Sequence, residues 1–410
     1  MKKWLTLTIG TLLMTTLGLL YAWSIFRAPL TELFPDWTKS QISGTFSISI
    51  IMFCIGGVVS GQLVKKIRNQ FIVVFSALIM LTGLSILPHL LDTAEPARSL
   101  LYLYLCYGAV CGISIGMSYN IIISTVIRWF PGRIGTTSGI LLMGYGLGGL
   151  ILGGLVNSLI DRYTVFNTFS ILAVVVFAIL LIGSFFIVLP KDTGAAIAVS
   201  ELSASEKEAD DLINYTPRRM VKDPSFIAFF VWSFAVGTGG LIVINSAAPI
   251  ATYYGVAAVL GLIVSVFNGF GRIVAGSIAD RFGRRKATLV IDIMMFLAAV
   301  LLYAGALRHS TLLIFIGLPL MGACFGSVPA LLASFVNNFY GPKHYSINLA
   351  VTTFSIIPSA IIGPILSSKL EEKFGDTYDT TFLLVILMAV ITLISGFAIA
   401  HFAKKRGVEK

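Results

Sequence analysis

Apolar residues run through this chain in long blocks, without the alternation of a half-buried strand or the striping of a surface helix. Twelve such blocks, mostly 20 to 30 residues long, begin near Trp4, Gly44, Phe71, Leu100, Arg133 and Thr164, and then near Ser225, Val256, Ala287, Ser310, Tyr345 and Thr380. At ~1.5 Å rise per residue, each block is long enough to cross a hydrocarbon layer ~30 Å thick. The pattern therefore predicts an all-α membrane protein with twelve transmembrane helices. One polar stretch interrupts it, from Pro190 to Pro224, with acids at Glu206, Glu208, Asp210 and Asp211 and a basic end at Arg218 and Arg219. The organisation expected is a six-helix bundle over 1–189, a solvated cytoplasmic linker over 190–224 and a second six-helix bundle over 225–410. The halves echo one another. GQLVKKIRNQ, starting at Gly61, and GSIADRFGRRK, starting at Gly276, occupy the same place between the second and third spans of each half, 215 residues apart. A weak parallel repeat of this kind is the trace of a two-bundle transporter with its site near the midplane.

Composition sharpens the class. With 57% hydrophobic and 12% charged residues, the chain is far from the ~25% charge of soluble domains. Its net charge of +10 would suggest nucleic acid in a soluble protein. Here 21 of the 29 Lys and Arg residues fall in alternate loops on one side and 7 on the other, so the bias reports topology, not a nucleic-acid partner. The expected placement is multi-pass in the cell membrane with both termini cytoplasmic, and the N-terminal apolar stretch is read as an uncleaved first helix. Cys54, Cys106, Cys111 and Cys324 lie within apolar spans and read as packing residues. No metal spacing, Walker sequence or nucleophile elbow occurs, so no cofactor, metal or enzymatic activity is expected.

The chemistry concentrates between Val256 and Lys286. Arg272 precedes Asp280 by eight residues, ~12 Å along a helix, which places a permanent cation close to the bilayer centre. A small organic anion carried as substrate is the simplest answer to that charge. Asn268, one turn earlier, shares its face. Tyr119 and Asn120 lie at comparable depth before Arg128, as donors to a carboxylate or as packing. Asn245, near Pro249 and a helix break, is a candidate substrate or gate contact. Asp280 can accept hydrogen bonds from a neighbouring helix end, with Arg281 and Arg284 holding the turn at the surface, so that the loop latches two helices in one conformation. Asp292, six residues into the ninth span, is expected to pair with the Arg284–Lys286 cluster; gating or proton relay is the alternative.

The turn Gly276-Ser-Ile-Ala-Asp280-Arg281-Phe-Gly283-Arg284-Arg285 resembles the signature loop of the major facilitator superfamily, with Lys65 replacing the aspartate in the first-half copy. Tyr21-Ala-Trp23-Ser, Arg128-Trp129-Phe130-Pro131, Gly144-Tyr145-Gly146-Leu-Gly148, Gly239-Gly240 and Asn245-Ser246 are similar to the oxalate/formate antiporter family and its monocarboxylate-porter relatives. This resemblance implies two six-helix bundles working by alternating access, with Tyr21 and Tyr119 as pocket tyrosines and Phe325 as a pocket wall. Two departures refine it. The resembled oxalate carriers hold a lysine in the eleventh span, where this chain has Ile356, and the monocarboxylate porters hold an aspartate where it has Asn268. One cation suits one carboxylate, so a monocarboxylate such as lactate, pyruvate or formate is expected, by proton symport or anion exchange, from a monomer in the bilayer. An oxalate/formate antiporter is the alternative. A multidrug exporter, whose cavity would carry acids, and a carboxylate sensor, which would need an output domain, fit less well.

Overall fold

The computed structural model describes residues 2–190, 214–256, 260–374 and 378–406; most of the linker, including its acidic cluster, lies outside them. In chain order the helices are α1 (Lys2–Leu17), α2 (Trp23–Leu33), α3 (Lys39–Leu63), α4 (Asn69–Leu90), α5 (Pro96–Leu103), α6 (Gly112–Val126), α7 (Ile134–Arg162) and α8 (Val165–Ser184). After the linker come α9 (Pro217–Val221), α10 (Pro224–Asn245), α11 (Ala247–Tyr253), α12 (Leu260–Phe282), α13 (Arg284–Leu307), α14 (Thr311–Tyr340), α15 (Tyr345–Thr353), α16 (Ile356–Phe374) and α17 (Asp379–Arg406). Several make one span in two pieces. A 3₁₀ turn, Gly18–Ala22, joins α1 to α2, and a π-helical stretch, Tyr104–Cys111, joins α5 to α6.

Among the described residues, eleven helical segments are long and apolar enough to cross a membrane. A further long helix, α12, carries Arg272, Asp280 and Arg281. Polar caps fix where several of the helices begin. Thr38 and Gln41 form a reciprocal capping box at α3, Thr164 accepts from the Asn167 amide at α8, and Asp223 accepts from the Ser225 amide at α10. The turn between α12 and α13 is made by Gly283 at φ 87°, a left-handed conformation that costs glycine nothing.

The described helices form two compact units. The first holds residues 2–131, 144–190 and 349–351; the second holds 132–143 and the described parts of 214–348 and 352–406. The division therefore falls inside α7 and α15 as well as at the linker. Within the first unit, α3 and α6 meet backbone to backbone. A Cβ on Gly116 would lie 1.9 Å from the Phe53 carbonyl oxygen, and one on Gly56 would lie 2.1 Å from that of Ile113. In the second unit α12 and α14 touch in the same way, Gly271 against Ala323 and Gly326 against Asn268. In hydrocarbon, where water expulsion cannot drive helices together, this closeness supplies dispersion contact that larger residues would forbid.

Gly326→Ala would place its methyl 1.9 Å from the Asn268 carbonyl oxygen and so must part α12 from α14. The expected cost is about 1–3 kcal/mol, read as a lower melting temperature in detergent. Gly154→Ala, with nothing within 4 Å, is the control and should leave melting unchanged.

Candidate functional site

The tight α12–α14 contact presents Arg272 and Asn268 on one face, one helical turn apart. Arg272 is 2% exposed. Its Nη1 donates to the Leu142 carbonyl oxygen of α7, and its Nη2 donates to Asn268 Oδ1 at 3.3 Å. Its buried Nε has no hydrogen-bond partner among the described residues, nor does any described carboxylate form an ion pair with it. Both groups that do meet the guanidinium are neutral. A buried, hydrogen-bonded cation is thus held in place without its charge being cancelled, which is the arrangement an anion ligand would complete. The backbone of α7 comes close enough to allow this because residue 139 is glycine; a Cβ there would lie 2.4 Å from the Arg272 carbonyl oxygen.

Further along the same two helices stands a second contact. Asp280 Oδ1 accepts from the Gly135 amide at 2.8 Å, and Oδ2 accepts from the Thr136 amide at 2.7 Å and from Thr136 Oγ1 at 2.8 Å. The carboxylate thus caps the first turn of α7 from another helix, meeting two orphan N–H groups and the positive end of the helix dipole. Gly276 permits the approach, since a Cβ would lie 2.0 Å from the Gly135 carbonyl oxygen. Arg281 is exposed, and Arg284 Nε donates to Ser334 Oγ of α14 at 3.0 Å.

Asp292 requires a correction. Its structural partner is not the Arg284–Lys286 cluster: it is 1% exposed, and Trp232 Nε1 of α10 donates to its Oδ1 at 2.7 Å. Its Oδ2 lies 2.1 Å from where a Cβ on Gly396 of α17 would be. The reason is distance along the helix axis. Eight residues from Arg284, ~12 Å into the helix, Asp292 faces inward between α10 and α17, while the basic side chains stay at the helix end.

In the first unit the tyrosines gather. Tyr145 of α7 meets Tyr21 with ring centroids 5.2 Å apart and Tyr119 at 5.0 Å, both edge to face, and Phe53 meets Tyr119 at 4.9 Å. Tyr21 stands on the 3₁₀ turn and is 37% exposed. Gly18 brings that turn against α7, where a Cβ would lie 2.4 Å from the Tyr145 carbonyl oxygen. Asn120 turns away from this role, because its amide donates to the Gly57 carbonyl at 2.9 Å and to Ser60 Oγ at 3.2 Å. It ties α6 to α3, and the packing alternative is the better account of it. Phe325, half-buried on α14, packs over Gly240 of α10, whose Cβ position lies 2.5 Å from the Phe325 Cβ. Asn245 is the last residue of α10, at the break before α11; its side chain lies outside the described residues.

The structure thus joins Arg272 to Asn268 in one unit and Tyr21 to Tyr119 in the other. Residue patterns missed Tyr145, although it stands in the glycine-rich stretch of α7, and missed the Leu142 carbonyl, since a backbone acceptor leaves no mark in a sequence. Among the described residues no three His, Cys, Asp or Glu converge on a metal site.

Comparison with known proteins places the chain. The Major Facilitator Superfamily model matches residues 3–357 and 249–409. The oxalate:formate antiporter of Oxalobacter formigenes is 25% identical over 411 residues, covering 99% of this chain and 92% of that one. Monocarboxylate transporter 2 of Meriones unguiculatus is 23% identical, covering 96% and 85%. In architecture, the proton:xylose symporter XylE bound to 6-bromo-6-deoxy-D-glucose matches with a TM-score of 0.70 at 15% identity, over 97% of this chain and 95% of that one.

Asp280→Ala removes the carboxylate from the first turn of α7. Hydrogen exchange at the Gly135 and Thr136 amides should accelerate by roughly tenfold, as losing charge-assisted bonds worth about 1.5 kcal/mol or more implies. Unchanged protection across residues 134–138 would show the cap to be idle.

Proposed function

We propose that this chain, which belongs to the Major Facilitator Superfamily, carries small monocarboxylates across the cell membrane, with both termini cytoplasmic and Arg272 as the anion ligand. It is a multi-pass membrane transporter; the substrate class is the step beyond. The observation that carries the proposal is the buried guanidinium of Arg272, met by a backbone carbonyl and an asparagine. A cation at such depth costs about 3 kcal/mol even by the mildest membrane scale, and neutral dipoles offset this less than a carboxylate would. Asn268 orients the guanidinium, and Tyr21, Tyr119 and Phe325 are the proposed further substrate contacts. Similarity to a monocarboxylate transporter and to an oxalate:formate antiporter supports a carboxylate as cargo. Oxalate is the second reading, favoured by the near-complete coverage of that antiporter. Against it stands Ile356, half-buried and uncharged at the start of α16, where the resembled oxalate carriers place a second cation.

The purified protein should gain thermal stability with formate, lactate or pyruvate and less with oxalate. Arg272→Lys keeps the charge but not the planar fork, so it should weaken binding about tenfold. Arg272→Gln should weaken it by ~100-fold or more, as the loss of a charge-assisted pair implies. If the guanidinium were only a packing element, Arg272→Gln would melt lower yet keep its ligand response, and the proposal would fall.

The same charge sets the coupling. A loaded carrier has Arg272 neutralised; an empty one must pass through occlusion with a buried, unanswered cation. Exchange should therefore outrun net flux in proteoliposomes, unless Asp292, by giving up a proton when the substrate leaves, supplies the countercharge for the empty carrier's return. Asp292→Asn should then slow net uptake while sparing counterflow, and equal rates of the two processes in that variant would defeat this coupling.

A further inference from the structure

At the end of the first unit that bears the basic α3–α4 turn lies a groove of about 460 Å³, within the range of small-molecule sites. Its cations are Lys65, Lys66 and Arg68, all exposed, and its far wall is Ile187, Val188 and Leu189, the chain just after α8. No acidic residue lines it, and none of the three cations is ion-paired among the described residues. The walls are anchored before any ligand arrives. Gln70 Nε2 donates to the Phe185 carbonyl at 3.0 Å, Trp129 Nε1 donates to the Val188 carbonyl at 2.8 Å, and the Lys66 and Ile67 amides close the turn onto the Leu63 carbonyl. Next to these segments in the chain the surface is oily: Phe71 of α4, Ile182 of α8 and Phe185 just after it are each at least 59% exposed. That combination, cations at the rim and exposed apolar side chains continuing along the spans, is amphipathic in the sense a phospholipid is.

We propose that this groove binds one anionic phospholipid, its phosphate held by Lys65, Lys66 and Arg68 and its acyl chains lying along Phe71, Ile182 and Phe185. A basic pocket between helix ends at a membrane surface selects charged headgroups, because each cation within a Debye length of the headgroup plane contributes favourably. The apolar continuation distinguishes a lipid from a soluble anion, which would gain nothing from Phe185. In the second half the corresponding turn carries Asp280, whose carboxylate is spent on α7. Lys65 replaces that acid in the first half and leaves the turn purely basic, so the two copies of one loop take different partners.

The test uses the full-length protein in neutral detergent, titrated with short-chain phosphatidylglycerol, phosphatidylcholine or inorganic phosphate and followed by thermal melting. Phosphatidylglycerol should raise the melting temperature, and the other two should not. Each of Lys65→Gln, Lys66→Gln and Arg68→Gln should raise the half-saturating lipid concentration by roughly fivefold, and high salt should do the same to the unaltered protein. Equal stabilisation by phosphatidylcholine would overturn the proposal, as would stabilisation by phosphate alone. A phosphatidylglycerol response that no substitution changes would also overturn it. Neutralising Glu206, Glu208, Asp210 and Asp211 should leave phosphatidylglycerol affinity unchanged; a fivefold tightening would assign the groove to the linker.

Discussion

A guanidinium that cannot lose its proton, enclosed by helices and met among the described residues by two neutral oxygens, is the constraint on which this protein's chemistry rests. The charge of Arg272 must be answered within an environment that gives it little help, and the two groups that touch it, the Leu142 carbonyl and Asn268 Oδ1, supply dipoles in place of a countercharge. Had a carboxylate been built beside it, the pair would be closed and a passing anion would find no vacancy. On the proposed function, a cation answered by dipoles alone would leave the helix receptive to an anion, at a cost in stability that tight packing must absorb. The glycines of α12 and α14 do so: they bring backbones into contact along the length of the helix that carries Arg272.

The same economy governs Asp280. A carboxylate at a helix N-terminus is worth ~1 kcal/mol, with more from its hydrogen bonds to Gly135, Thr136 and the Thr136 hydroxyl. That is enough to hold two helices in one arrangement and small enough to be surrendered in another, which suits a latch better than a permanent bond would. Asp292 illustrates the opposite case. Sealed between α10 and α17 with Trp232 as its donor, it is a buried acid kept apart from the cations nearest to it in sequence.

Much of the architecture was legible before any coordinates. Blocks of apolar residues define spans because lipid compels every backbone group to bond within its own helix, so span number and the helix break beside Asn245 follow from local sequence. Arg272 was legible for the same reason: a lone arginine in an apolar run has few explanations. For Asn120 the sequence leaves both readings open, because an amide at the right depth can face a cavity or a neighbouring helix, and depth does not distinguish them. For Asp292, nearness along the chain suggests the basic cluster as partner, but six to eight residues of helical rise, ~9–12 Å, keep that cluster out of reach.

Helix number, the family resemblance and the presence of one deep fixed cation were determined by the sequence itself, since each depends on composition within a single segment. The tertiary structure decided what that cation touches, that Asp280 caps α7, that Tyr145 joins Tyr21 to Tyr119, and that Lys65, Lys66 and Arg68 share a groove with residues more than a hundred positions away. Those facts depend on which face each helix turns towards its neighbour, and in a membrane, where nearly every face is apolar, that choice is made by close packing between helices and leaves only a faint trace in any one of them.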